Sequence, residues 1–144
     1  EGVEEVFHKV KVKPGKPIWF GSYEKNGKRC VVFGLPGNPV SSLVGFQLFV
    51  RSAIRKMENV TRPQPRSQTA VLSKPHETRG DRPTFWPGCL KDDSAIRTVE
   101  PLVWRGSSDL VALSRAAGLI YFSADENDHP SGKKVEFYPF VSWV

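Results

Sequence analysis

FGLPGNPVSSLVGFQLFV, residues 33–50, joins an apolar strand to a helix through a turn that carries two prolines. Residues 30–33 form a short apolar run rich in β-branched side chains, which predicts a buried strand. In the turn, Asn38 is a preferred N-cap residue and Pro39 suits the first helical position. We therefore predict a helix that begins at Pro39, fades near Asn59 and is buried over most of its girth.

This corner is a candidate anion site. A strand that turns sharply into a helix leaves free backbone N–H groups and the positive end of the helix dipole at the turn, where phosphates and other anions commonly bind. A short strand–helix connection also needs glycine and proline for its geometry alone. On residues 34–39 by themselves, both interpretations stay open.

The composition indicates a globular chain with a real core. Of 144 residues, 39% are hydrophobic and 11% aromatic, and no apolar run approaches the roughly 20 residues that span a membrane. The acidic start lacks the features of a secretory signal, so we expect a cytoplasmic protein. Cys30 and Cys89 are too far apart in sequence to suggest a metal cluster or a disulfide framework, which fits a reducing compartment.

The chain is basic, with a net charge of +6. The excess lies in residues 1–58, which hold ten Lys and Arg against five Asp and Glu. Such a balance is compatible with binding to nucleic acid, to phosphorylated small molecules or to oxyanions, and it does not choose among them.

Two parts are predicted along the chain. Residues 61–68 are polar and contain two prolines, so we place a linker there, between an α/β part at 1–60 and a β-rich part at 69–144. The Asn26-Gly27 pair predicts a hairpin turn in the first part. The other predicted elements are strands at 6–13, 18–21, 69–72, 84–90, 95–99, 119–122 and 135–140, and a short helix at 107–116.

Lysines alternate along the predicted first strand. Lys9, Lys11 and Lys13 fall at a period of two, so they would share one face of a strand over 6–13. Such a row could bind an anion next to the corner at 34–39. It could equally be the solvated face of an edge strand, where lysine blocks aggregation.

A second anion candidate lies in the β-rich part. Gly106 and Ser107 open the predicted short helix and could donate hydroxyl and backbone N–H groups, although helix capping alone also explains them. The three histidines are scattered without triad or metal-ligand spacing, and no phosphate-binding loop motif occurs. A self-contained hydrolase is therefore not indicated.

Three motifs occur in order: FHKVKVKPGKP at 7–17, GLPGNPVS at 34–41, and GSS at 106–108 before the predicted helix. Together they resemble the C-terminal part of the MoeA family of molybdopterin molybdotransferases, which includes the gephyrin E domain. The resemblance covers nearly the whole chain. It implies the C-terminal half of a layered, MogA-like α/β domain, followed by a small barrel-like β domain.

The resemblance also implies a chemistry. Enzymes of this family insert molybdate into adenylylated molybdopterin (molybdopterin-AMP) and release AMP, with Mg²⁺ assisting. The positions that match the family's site are Lys9 and Lys13 as catalytic lysines, and Pro36, Gly37, Asn38, Pro39 and Ser107 as substrate-binding residues. Cations on a rigid segment beside a helix start suit a dianion and a pyrophosphate, so the physical interpretation agrees.

The chain also departs from the family pattern. Arg82 and Phe85 keep part of an Arg-x-x-Phe-x-Arg pattern, but Pro87 stands where the second arginine is usual. The family's upstream domains and the acidic Mg²⁺ ligands are not found in this sequence, so we assign no metal ligand here. We expect a piece of a longer homodimeric enzyme that is inactive by itself. The alternatives are a gephyrin-like scaffold module and a basic nucleic-acid binder.

Overall fold

The computed structural model describes residues 2–91, 97–106 and 109–140. The first part is a three-stranded antiparallel sheet in the order β1-β2-β3. Its strands are β1 (Glu4–His8), β2 (Trp19–Lys25) and β3 (Lys28–Gly34). Asn26 and Gly27 both have positive φ, 54° and 72°, in the tight turn between β2 and β3. The predicted Asn-Gly hairpin is confirmed.

The prediction of a strand over 6–13 is wrong. β1 ends at His8, and Lys9 has φ 70°, which takes the chain out of the extended region. Residues 9–18 form a loop closed by hydrogen bonds from Lys9 N to Ile18 O (2.9 Å) and from Val10 N to Lys16 O (3.0 Å). Lys9, Lys11 and Lys13 therefore do not line one strand face, because the period of two requires continuous extended backbone.

The helix begins at Pro39, as predicted, but it is not uniform. It comprises α1 (Pro39–Gly45), a π turn (Phe46–Val50) and α2 (Arg51–Met57). The Arg51 N–H donates to the carbonyl oxygen of Phe46, five residues back. Burial is also less complete than predicted: Val40 and Val44 are fully buried, whereas Met57 is 66% exposed.

The helix packs on one face of the sheet. The rings of Phe7 and Phe20 pack in tilted contact at a centroid distance of 5.4 Å, and those of Phe20 and Phe33 at 4.7 Å. The Phe7 ring lies 6.4 Å from that of Phe49 in the π turn. None of residues 30–33 is fully buried, and Cys30 is exposed, so the prediction of a buried strand was wrong. The reason is that β3 is an edge strand of this sheet.

The second part is a closed barrel with the strand order β10-β4-β7-β6-β8, which confirms the barrel-like prediction. All pairs are antiparallel except β4 with β7, which is parallel. The barrel strands are β4 (Gln68–Leu72), β6 (Thr84–Lys91), β7 (Thr98–Pro101), β8 (Gly118–Phe122) and β10 (Lys134–Pro139). The short strands β5 (His76–Glu77) and β9 (Asp128–His129) pair separately, and the helix α3 is Leu110–Arg115.

Two apolar cores hold the chain together. One fills the barrel, and the other joins Val12 and Val44 of the first part to Phe85 and Leu119 of the barrel. The two parts therefore share buried surface across the predicted linker. The barrel core contains Ala70, Leu72, Val99, Ile120, Phe122, Val135 and Phe137.

No helix within the described residues has the length and apolar character needed to cross a bilayer. The linker prediction of 61–68 stays a prediction, and β4 begins at its last residue.

Candidate functional site

The loop 9–18 is attached to the barrel through main-chain hydrogen bonds. The Lys13 N–H donates to the Pro83 carbonyl (2.9 Å), and the Phe85 N–H donates to the Lys13 carbonyl (2.8 Å). The Lys13 ammonium donates to the Arg79 carbonyl oxygen at 3.2 Å. Lys13 is partly buried while Lys9 is exposed, so the barrel fixes the position of Lys13 more closely than that of Lys9.

The tip of the same loop lies on the first turn of α1. Pro14 and Gly15 are buried, and a Cβ built on Gly15 would be 3.5 Å from the Ser41 carbonyl oxygen. Gly15 has φ +115°, a conformation that side chains strongly disfavour. The structure therefore brings together two of the three sequence motifs. These are the loop at 9–18, which we call the lysine loop, and the Pro-Gly-Asn-Pro turn of the corner at 34–39.

The corner itself is organised by Asn38. Its side-chain oxygen accepts hydrogen bonds from Val40 N (3.2 Å) and Ser41 N (3.4 Å), and the Ser42 hydroxyl donates to the Pro36 carbonyl. These bonds occupy backbone donors that an anion would need, since a helix start offers only a few free N–H groups. The corner is thus a rigid wall beside the lysine loop, and α1 alone supplies fewer free donors than its sequence suggested.

Gly37 and Pro39 are exposed at the outer side of this corner. A Cβ built on Gly37 would meet no atom within 4 Å, so this position has open space in front of it. A ligand can therefore approach the corner from that side without displacing protein atoms.

Ser107 lies outside the described residues. Its neighbours are described: Gly106 has φ +120°, and the Asp109 carboxylate accepts from Ala112 N (3.0 Å) and Arg105 N (3.1 Å). These backbone hydrogen bonds hold the pKa of Asp109 below its ordinary value. Asp109 thus caps α3, which packs against α1.

Arg82 belongs to the same region, although sequence reasoning gave it no site role. Its Nη1 donates to the Val12 carbonyl oxygen at 3.3 Å, and its Nε lies 3.9 Å from the Asp81 carboxylate. The partial Arg-x-x-Phe-x-Arg pattern was the signal that could have found it. Pro87, which replaces the second arginine of that pattern, is buried, and its carbonyl accepts from Leu102 N at 3.0 Å.

A groove of about 490 Å³ borders the loop on the barrel side. Lys11 is the charged residue in its lining, which is otherwise mostly apolar and aromatic and includes Val10, Phe85, Tyr121 and Tyr138. Metal ligands are not grouped here: the part of the chain that the structure describes holds no cluster of three or more His, Cys, Asp or Glu residues. The site as described therefore consists of cations, a rigid corner and an apolar groove.

A family model described as the MoeA C-terminal region (domain IV) matches residues 69–140, half of the chain. A second model, described as a probable molybdopterin binding domain, matches residues 1–56. The chain belongs to the MoeA family. This confirms the predicted resemblance. Each of the two parts of this MoeA-family chain is matched by its own family model.

Individual relatives of this chain support the same family. The chain is 31% identical over 144 residues to a molybdopterin molybdenumtransferase of Synechocystis, covering 99% of this chain and 32% of that protein. It is 51% identical over 132 residues to the molybdenum cofactor synthesis protein cinnamon of Drosophila melanogaster, covering 91% of this chain and 21% of that protein.

The fold of this chain also matches that of a solved MoeA structure. The crystal structure of a molybdopterin biosynthesis MoeA protein from Pyrococcus horikoshii superposes with a TM-score of 0.75 at 27% identity, covering 99% of this chain and 33% of that one. This MoeA-family chain thus spans about a third, or less, of the length of these relatives.

Proposed function

We propose that the protein carrying this chain is a molybdopterin molybdenumtransferase, which inserts molybdate into adenylylated molybdopterin and releases AMP. The observation that supports this most is the contact between the lysine loop and the corner, in which Gly15 packs on Ser41 of α1. The relatives named as molybdopterin molybdenumtransferases support the same activity.

In this proposal the cations carry the chemistry. Molybdate is a dianion, and the second substrate brings a pyrophosphate, so both need positive charge. Lys13 is held by the barrel and Arg82 by the Val12 carbonyl, which keeps two cations close to one short loop and so lowers the entropy cost of ordering them on binding. Lys9 supplies a third charge from the base of the loop.

The corner residues have a positioning role in this proposal. Pro36 and Pro39 restrict the backbone, Gly37 leaves open space for a ligand, and Asn38 keeps the first turn of α1 in place. Ser107 is proposed as a hydroxyl donor to the substrate from the α3 side. Mg²⁺ is proposed to assist, with its ligands outside the described residues.

We also propose that the sheet and helix of the first part complete a layered α/β domain in a longer, homodimeric, cytoplasmic protein. β1 is an edge strand of the three-stranded sheet, and an edge offers free backbone groups for pairing with further strands. The linker at 61–68 then separates this domain from the barrel.

The test is a molybdenum-insertion assay with adenylylated molybdopterin, molybdate and Mg²⁺. We expect the full-length protein to turn over and the 144-residue chain alone to be inactive. A full-length protein that leaves molybdate unincorporated would refute the activity. Turnover by the chain alone would instead refute the proposal that essential residues lie elsewhere.

A further inference from the structure

A small cavity lies away from the lysine loop, between the helix, the linker and the edge of the barrel. Its internal volume is about 20 Å³, which is space for a few water-sized particles at most and far too little for a nucleotide. Three arginines line it, and we call it the arginine cavity: Arg51 and Arg55 from α2, and Arg66 from the linker. Leu119 and Tyr138 close it from the barrel side.

The charges in this cavity have one sign. The described lining contains three arginines, together with the polar residues Gln47, Ser52 and Gln64, and no Asp or Glu. Arg51 and Arg55 are four residues apart, so they lie on one face of the helix. Burial, followed by the neighbouring charge of Arg55, lowers the pKa of Arg51 below its ordinary value.

Arg51 is 8% exposed, and its Nη1 donates to the Gln47 side-chain oxygen at 2.9 Å. Arg55 differs, because its Nε is buried and meets no hydrogen-bond acceptor among the described residues. Across residues 2–91, 97–106 and 109–140, neither Arg55 nor Arg66 forms an ion pair. Glu58, the acid that lines an adjoining cavity beside Arg55, forms none there either.

Like charges that share a partly buried cavity repel each other, and a buried N–H without an acceptor is costly. An anion in the cavity removes both penalties, because it accepts from the guanidinium groups and neutralises their charge. We propose that the arginine cavity binds one small inorganic anion, either a halide or a compact tetrahedral oxyanion. The bound anion would tie α2 to the linker and so stabilise the contact between the two parts of the chain.

The first experiment follows thermal unfolding of the purified protein in increasing sodium bromide or sodium phosphate, with sodium gluconate holding the ionic strength constant. Gluconate is too large for the cavity. We expect a saturable rise in Tm with bromide, phosphate or both, since a ligand that binds only the folded state stabilises it. The anion that saturates at the lower concentration identifies the class.

The matched variants are Arg55→Gln and Arg62→Gln. Arg62 is exposed in the same linker and does not line the cavity. We expect Arg55→Gln to weaken the apparent affinity by about tenfold or more, as removal of a charged hydrogen bond does, and Arg62→Gln to leave it unchanged. Equal anion dependence in both variants and the wild type would overturn the proposal.

Anomalous diffraction from crystals grown in bromide, or grown in phosphate and then exchanged into bromide, tests the site without any variant. We expect a bromide peak within hydrogen-bonding reach of Arg55, and its strength should fall when phosphate competes if oxyanions share the site. The absence from the arginine cavity of wild-type crystals of both a bromide peak, when they are grown in bromide, and tetrahedral density, when they are grown in phosphate, overturns the proposal, including when Arg55→Gln fails to fold.

Discussion

Lys13 and Phe85 are joined through their main chains, because the Phe85 N–H donates to the Lys13 carbonyl oxygen at 2.8 Å. The position of the Lys13 backbone is thus determined by barrel strand β6 and not by its own side chain. The ammonium group stays available for a ligand, and its described contact is the Arg79 carbonyl at 3.2 Å. The lysine loop therefore connects barrel strand β6 to the corner at the start of α1, and its bonds to the barrel determine where it lies.

Replacement of Lys13 by alanine should abolish most of the turnover of the full-length protein while preserving its fold. Removing a cation aimed at developing charge costs about 3 kcal/mol of barrier, or roughly a hundredfold in rate. The comparison is Lys11→Ala, which removes the same charge from the same loop; Lys11 lines the groove but matches no site position of the family, so we expect a smaller loss of rate. The measurement is the rate of molybdate insertion, with circular dichroism as the check on folding. Wild-type rates in Lys13→Ala would contradict our site assignment.

Gly15→Ala should destabilise the protein by about 1–3 kcal/mol, because a side chain strongly disfavours φ +115°. Gly37→Ala is the control, since a Cβ there meets open space and no positive φ. Urea unfolding of both variants gives the comparison. If the two variants have equal stability, the loop tip does not depend on the glycine conformation seen here.

Asn38→Ala should cost about 1 kcal/mol of stability, since alanine cannot accept from the N–H groups of Val40 and Ser41. Asn38→Asp should retain most of the stability, because a carboxylate caps a helix start equally well. The same urea titration measures both. Equal losses in the two variants would show that the amide group, and not capping, matters at this position.

His76 should make the protein sensitive to mild acid. Its ring packs on Trp86 at 4.3 Å and on Phe122 at 4.9 Å, and its buried Nε2 has no hydrogen-bond partner among the described residues. Burial, followed by the charge of His129, lowers the pKa of His76 from 6.5 to about 4. The unfolded state therefore binds protons first, and stability is lost as pH falls from about 6.5 to 4.

A second histidine, His129, also has charged groups around it. His129 contacts Lys133 at 3.2 Å, Lys133 pairs with Glu126, and burial followed by the Lys133 charge lowers the pKa of His129 as well. The loss in stability should therefore be measured between pH 7 and 5, above the range where carboxylates titrate. His76→Phe should reduce this loss. An unchanged pH dependence in His76→Phe would exclude this assignment.

Several local features followed from the sequence because short-range rules govern them. The Asn26-Gly27 turn, the cap at Asn38 and the helix start at Pro39 each depend on a few neighbouring residues. The β-rich character of residues 69–144 also followed from short alternating runs between turn residues, whereas the barrel-like form was implied by the resemblance to the MoeA family. The motif order was specific enough to indicate the MoeA family.

The tertiary structure decided the rest. The predicted row of lysines on one strand face was wrong because Lys9 leaves the extended region. The hydrogen bond from Arg82 to the Val12 carbonyl joins residues 70 positions apart, beyond the reach of local sequence rules. The parallel pairing of β4 with β7 and the shared core of Val12, Val44, Phe85 and Leu119 are also long-range. Periodicity and capping act within a few residues, so they determine where elements begin and end. Only the burial of apolar surface between distant segments determines that the lysine loop contacts both the barrel and the corner.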